Sequence, residues 1–106
     1  MDKTETSLIE SLKKFKKLIS KEVNVQKFVL FGSRARGDSK HNSDVDILII
    51  SPDFEGKKSF RRSPLLYNLW DENIEVDFIC LTPDELNEKQ KQISMIRDAI
   101  NEGIDI

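Results

Sequence analysis

Residues 45–50 read Val-Asp-Ile-Leu-Ile-Ile. β-branched and aliphatic side chains favour extended backbone, and the unbroken run Ile47-Leu48-Ile49-Ile50 has no polar side to turn toward water. The segment therefore reads as a strongly buried strand, and the rest of the chain must supply what buries it. The chain has 106 residues. A domain near this size buries roughly two-thirds of its unfolded surface, enough for one core and little more. Residues 1–106 are therefore expected to form a single domain, with no separate specificity domain.

The flanking segments alternate between helical and extended patterns. Leu8, Ile9, Leu12, Phe15, Leu18 and Ile19 recur at three- and four-residue steps, one face of an amphipathic helix with lysines on the other. Val25 to Phe31 is rich in β-formers and predicts a first strand, followed at once by Gly32-Ser33-Arg34-Ala35-Arg36-Gly37 and a polar loop, 38–43. After the strand at 45–50, Pro52 and Gly56 punctuate a loop. Leu65, Leu66, Leu69 and Trp70 then have helical spacing, and Tyr67 and Trp70 are expected in the core. Ile74 to Leu81 predicts a third strand. Thr82-Pro83-Asp84-Glu85 announces a helix with a capping box. Ile93, Ile96, Ala99 and Ile100 mark a last amphipathic helix ended by Gly103, and Ile104 and Ile106 suit a short final strand or a contact with another copy of the chain. The expected class is α/β, a sheet with helices packed on it; the spacing leaves strand sense open.

Charged residues make up 34% of the chain, yet the formal net charge is only −2. Extended contact with nucleic acid draws on a basic surface, so a long RNA or DNA partner is disfavoured. The single cysteine, Cys80, cannot form an internal disulfide and suits a reducing cytoplasm; its alternation with Val76 and Phe78 reads as a small core residue. The apolar runs are too short for a bilayer. His41, the one histidine, falls in the polar loop and reads as a loop residue. Lys57, Lys58, Arg61 and Arg62 form a basic run of the kind that is usually a solvated face.

The chemistry concentrates in three acids and one turn. Asp44 and Asp46 are two apart on a strand and so share a side. Taken alone, such a pair is better explained by Asp44 capping the loop and Asp46 sitting on a solvated strand end. Asp77 adds weight, because it lies inside the third strand between Val76 and Phe78, where a charge without a partner is uncommon; an edge strand with a wet face, shared with Glu75, is the other reading. If the second and third strands are neighbours, three carboxylates converge. Carboxylates so crowded repel each other and resist desolvation; a hard divalent cation is the simplest group to hold them together. Gly32-Ser33 follows a buried strand, and its bare backbone and hydroxyl suit a phosphate.

Gly32-Ser33, ten intervening residues and Asp44-Val45-Asp46 resemble the signature of the DNA polymerase β-like nucleotidyltransferase superfamily. The wider text FGSRARGDSKHNSDVDILI is similar to its minimal, MNT-type members, and Val76-Asp77 matches the later acidic position. The resemblance implies a small mixed sheet flanked by helices, the polymerase β palm-like fold. It implies two Mg²⁺ ions, with Mn²⁺ as alternative, held by Asp44, Asp46 and Asp77, with Asp77 also helping to take the proton of the attacking hydroxyl. Gly32 and Ser33 would hold the triphosphate of ATP or another NTP, and Arg34 and Arg36 could reach phosphate oxygens. In paired minimal members the acceptor is a tyrosine of a HEPN-type ribonuclease toxin, and the transferase is its antitoxin. Three other readings stay open: neutralisation by binding alone, transfer to a small molecule such as an aminoglycoside, and modification of a nucleic-acid end, which predicts steeply salt-sensitive binding to RNA.

Overall fold

The computed structural model describes residues 3–32, 35, 45–71 and 74–106. Helix α1 (Lys3–Ile19) buries Leu8, Leu12, Phe15 and Ile19 and leaves Lys13, Lys14 and Lys17 in water; of the remaining residues that the periodicity puts on the apolar face, Ile9 is half-buried and Leu18 is exposed. Strand β1 (Lys27–Phe31) runs antiparallel to β2 (Val45–Ile50). A crossover then carries a single 3₁₀ turn (Pro52–Phe54) and two short helices, α2 (Ser59–Arg62) and α3 (Pro64–Leu69). It delivers β3 (Val76–Leu81) parallel to β2. Helices α4 (Pro83–Gln92) and α5 (Ser94–Glu102) follow. The two-residue strand β4 (Ile104–Asp105) closes the outer edge of β1, antiparallel to it. Sheet order is β3-β2-β1-β4, a mixed sheet within the α/β class that the alternation implies. The tail resolves as a strand of this sheet, with the Ile106 amide donating to the Phe28 carbonyl at 2.8 Å.

β2 is the axis of the core. Val45, Ile47, Leu48 and Ile49 are fully buried and Ile50 nearly so. Val45, Ile47 and Ile49 face α1, Phe54 and Leu66, whereas Leu48 and Ile50 face Leu81, Ile96 and Ala99. Burying each such side chain contributes about 1.5–3 kcal/mol, so this one strand carries much of the cohesion between the two helical layers.

The structure corrects three local expectations. Tyr67 is 46% exposed rather than core; its ring meets Phe78 edge-on at 5.0 Å, and its hydroxyl accepts the Phe78 amide at the open rim of β3. Trp70 is half-buried, set edge-on to Phe15, with its indole N–H donating to the Ile74 carbonyl at 2.9 Å. Ile93 does not lie within a helix. It sits at φ −119° and ψ 111° between α4 and α5, an extended conformation that a β-branched residue adopts readily. The break re-aims the chain so that Ile96 and Ala99 can lie on the sheet. The capping box forms as expected: the Thr82 hydroxyl accepts the Glu85 amide, and the Glu85 carboxylate accepts the Thr82 amide.

Arg62 departs from its solvated basic run. Its side chain is 7% exposed and forms a salt bridge with Glu85. It also donates to the Lys57 carbonyl at 2.8 Å and to the Cys80 carbonyl at 3.0 Å. One guanidinium thus ties the crossover, the end of β3 and the start of α4. Arg62→Met keeps the apolar stem but leaves the Cys80 carbonyl unsatisfied; a loss of about 3 kcal/mol is expected in urea unfolding. The Arg62 hydrogen bond, joined by the bonds with Thr82, holds the Glu85 carboxyl below its ordinary range. A carboxylate with a depressed folded pKa contributes stability above its unfolded pKa, about 4.3, and loses that contribution as pH falls through the folded value. Wild type should therefore exceed Glu85→Gln in stability at neutral pH, with the gap closing below about pH 4.

Candidate functional site

Asp46 is the second residue of β2, and Asp77 is the second residue of β3. The strands are parallel, and these two residues are register partners. Register partners on neighbouring strands project from the same face, with strands about 4.8 Å apart. Two carboxylate-bearing residues therefore stand side by side at one end of the sheet, on the face that continues through Leu48, Ile50, Ile79 and Leu81. Their flanking residues Val45, Ile47 and Val76 are buried on the opposite face. Asp46 is half-buried and Asp77 exposed. The convergence expected if β2 and β3 were neighbours is thus present for Asp46 and Asp77.

Across β2, Asp46 is also the register partner of Phe31, the last residue of β1. The next residue, Gly32, has φ 79°. A side chain there would be strained by its backbone, and its Cβ would lie 2.5 Å from the Asp46 Oδ2. The turn after β1 is therefore built around the Asp46 carboxylate. The Ala35 amide donates to the Gly32 carbonyl at 3.1 Å. Ser33, Arg34, Arg36, Asp44 and His41 lie outside the described residues. Among the described residues no group of three or more His, Cys, Asp or Glu gathers as a metal site.

Gly32 and Asp46 open onto a cleft of about 280 Å³ whose far wall is α5, through Ser94, Met95, Asp98 and Glu102. The sequence patterning picks out Ile96, Ala99 and Ile100 on this helix and passes over the cleft wall. The available signal is the four-residue step from Ser94 to Asp98 to Glu102, one polar stripe beside the buried one. Cys80 takes no part in this chemistry: burial pushes its thiol up to about 12, against a smaller opposing pull from Arg62, so it stays protonated and unreactive at neutral pH.

Residues 12–69 match the model of the nucleotidyltransferase domain family. A candidate protein adenylyltransferase of Methanocaldococcus jannaschii, MJ1215, is 38% identical over 80 residues, covering 73% of this chain and 88% of the relative. A second candidate protein adenylyltransferase of that organism, MJ1217, is 43% identical over 47 residues, 44% of this chain and 48% of its own. Among solved structures, a candidate nucleotidyltransferase from Sulfolobus solfataricus superposes with a TM-score of 0.70 at 22% identity, covering 96% of this chain and 81% of its own. That likeness concerns the fold.

Proposed function

This chain belongs to the nucleotidyltransferase domain family, and on that footing we propose that it moves AMP from ATP to a tyrosine hydroxyl of a partner protein. We take the partner to be a HEPN-type ribonuclease toxin, with the modification making this chain its antitoxin. The observation that carries the reading is the registered pair Asp46 and Asp77, with Asp46 beside Gly32 on a cleft of about 280 Å³. The similarity to MJ1215, a candidate protein adenylyltransferase, supports a protein acceptor.

The donor set fits a hard divalent cation, because Asp46 and Asp77 offer carboxylate oxygens from neighbouring strands of one sheet face. Asp44 would complete the set. Two Mg²⁺ ions, or Mn²⁺ in their place, would supply positive charge for the phosphate oxygens and the leaving group. The chain's own residues do the rest. Gly32 brings bare backbone close to the triphosphate, Ser33 adds a hydroxyl, and Arg34 and Arg36 reach phosphate oxygens. Asp77 orients the acceptor hydroxyl and takes its proton. The acceptor oxygen bonds to the α-phosphorus, the bond from that phosphorus to the bridging oxygen breaks, and pyrophosphate leaves.

Incubation with α-³²P-labelled ATP, Mg²⁺ and the product of the adjacent gene should label that partner, with no label from an Asp44→Asn/Asp46→Asn control. A stable complex with no label from any NTP, in Mg²⁺ or Mn²⁺, would replace transfer by neutralisation through binding. Label appearing only on an aminoglycoside would move the acceptor to small molecules.

A further inference from the structure

We infer that the apolar groove along the outer rim of β3 is the docking track for the acceptor polypeptide, in an extended form. The inference rests on the transfer reading above and deepens it by naming where the acceptor binds. β3 is an edge strand of the sheet. Beside it lies a groove of about 330 Å³, floored by Phe78, Ile79 and Leu81 and walled by Lys89, Ile93 and Ile96.

Three observations fix the occupant. The first is continuity: Met95 lines both this groove and the cleft that holds Gly32 and Asp46, so the two hollows share a wall. The second is order across the sheet. Gly32 follows β1, Asp46 lies on β2, and Asp77 lies on β3. A triphosphate at the Gly32 end leaves the β3 side for the attacking hydroxyl, and the groove begins there: Ile79, the next residue on the Asp77 face, is in its floor. The third is chemistry. Met95 is 51% exposed and Ile93 39%, apolar surface of the kind that anchors a peptide side chain. Asp98 and Glu102 line the cleft and Lys89 the groove. The occupant is therefore a segment with apolar residues beside its tyrosine, a basic residue toward the cleft and an acidic one toward Lys89. A nucleic-acid strand would need a row of cations along its backbone, and this groove offers an apolar floor with one lysine among its lining residues.

The test is fluorescence anisotropy on the whole chain with MgATP. The probe is a fluorescein-labelled peptide of sequence Arg-Ser-Tyr-Leu-Val-Ile-Glu, with a counterpart in which Leu, Val and Ile are serine. Ile93→Asp is the main variant. Ile93 occupies the residue before α5 without a side-chain cap, and aspartate is a favoured residue there, so the helix is kept. Tight binding of the apolar peptide, a loss of roughly tenfold or more in Ile93→Asp, and an unchanged MgATP affinity are expected. Lys89→Glu should weaken the same peptide and favour one ending in lysine. Equal binding of the apolar and serine peptides, wild-type binding by Ile93→Asp, or displacement of the peptide by an oligonucleotide would overturn the inference. If the peptide binds through Ile93 yet receives no AMP, the docking track stands and the transfer reading fails. If the toxin is labelled by wild type and by Ile93→Asp at the same KM, transfer stands and the track fails.

Discussion

Asp46→Asn should lower transfer by roughly 10³-fold or more while leaving the melting temperature near that of wild type. The substitution keeps the shape of the side chain and removes its charge. Asp46 is half-buried at the end of β2, whereas the strand's cohesion comes from Val45, Ile47, Leu48, Ile49 and Ile50. The core is therefore untouched. In metal-free buffer the registered neighbour Asp77 loses a like charge beside it, which offsets part of any lost contact. Labelled-ATP transfer and a thermal melt on the same preparation decide the matter. A variant that unfolds would give Asp46 a structural part, and one with normal turnover would remove it from the chemistry.

Gly32→Ala is the second large effect, and Gly56→Ala is its internal control. The two glycines have nearly the same backbone, φ 79° and φ 78°. An L-residue in the left-handed region costs about 1–2 kcal/mol, so both variants should lose that much stability. Only Gly32 has a neighbour in the way. Its new Cβ would come within 2.5 Å of the Asp46 carboxylate, whereas nothing lies within 4 Å of a Cβ at Gly56. Gly32→Ala must push the carboxylate aside or shift the turn. A combined loss of about 10²-fold in kcat/KM for ATP is expected, against near-normal activity for Gly56→Ala. Equal activity in the two would reduce the Gly32 turn to a simple reversal of the chain.

Much of this was legible in the sequence because the strongest signals were local. The aliphatic run at 47–50 left β2 no exposed face, and Thr82-Pro83-Asp84-Glu85 carried a complete cap within four residues. The mid-strand position of Asp77 raised the question of a neighbour; β2 sets Asp46 in register with it, while Asp77 itself stands exposed on an edge strand, and Glu75, just before the strand on the same side, is exposed too. What escaped was set by distant contacts. The parallel sense of β2 and β3 follows from how the crossover packs, not from either strand. Arg62 looks like its neighbours Lys57, Lys58 and Arg61 until Glu85 and the Cys80 carbonyl are brought to it. Tyr67 has the spacing of a core residue, yet the ring stands at the rim of β3 because Leu66, one position away, takes the buried place. Ile93 carries a helical pattern through a break that only the path over the sheet requires. The cleft wall on α5 is polar and periodic, which on a sequence is the description of any solvated face.

The parallel pairing of β2 with β3 also fixes when the carboxylate pair can exist. The antiparallel pairing of β1 with β2 involves residues no later than Ile50, but Asp77 meets Asp46 only once the whole crossover has folded back. Closing that connection costs chain entropy before any contact repays it. A nascent chain that has emerged only as far as β2 carries Gly32 and Asp46 without Asp77. In refolding, recovery of transfer should follow the slowest phase, after burial of the β1–β2 pair, so that the chain acquires its structure before it acquires its reactivity.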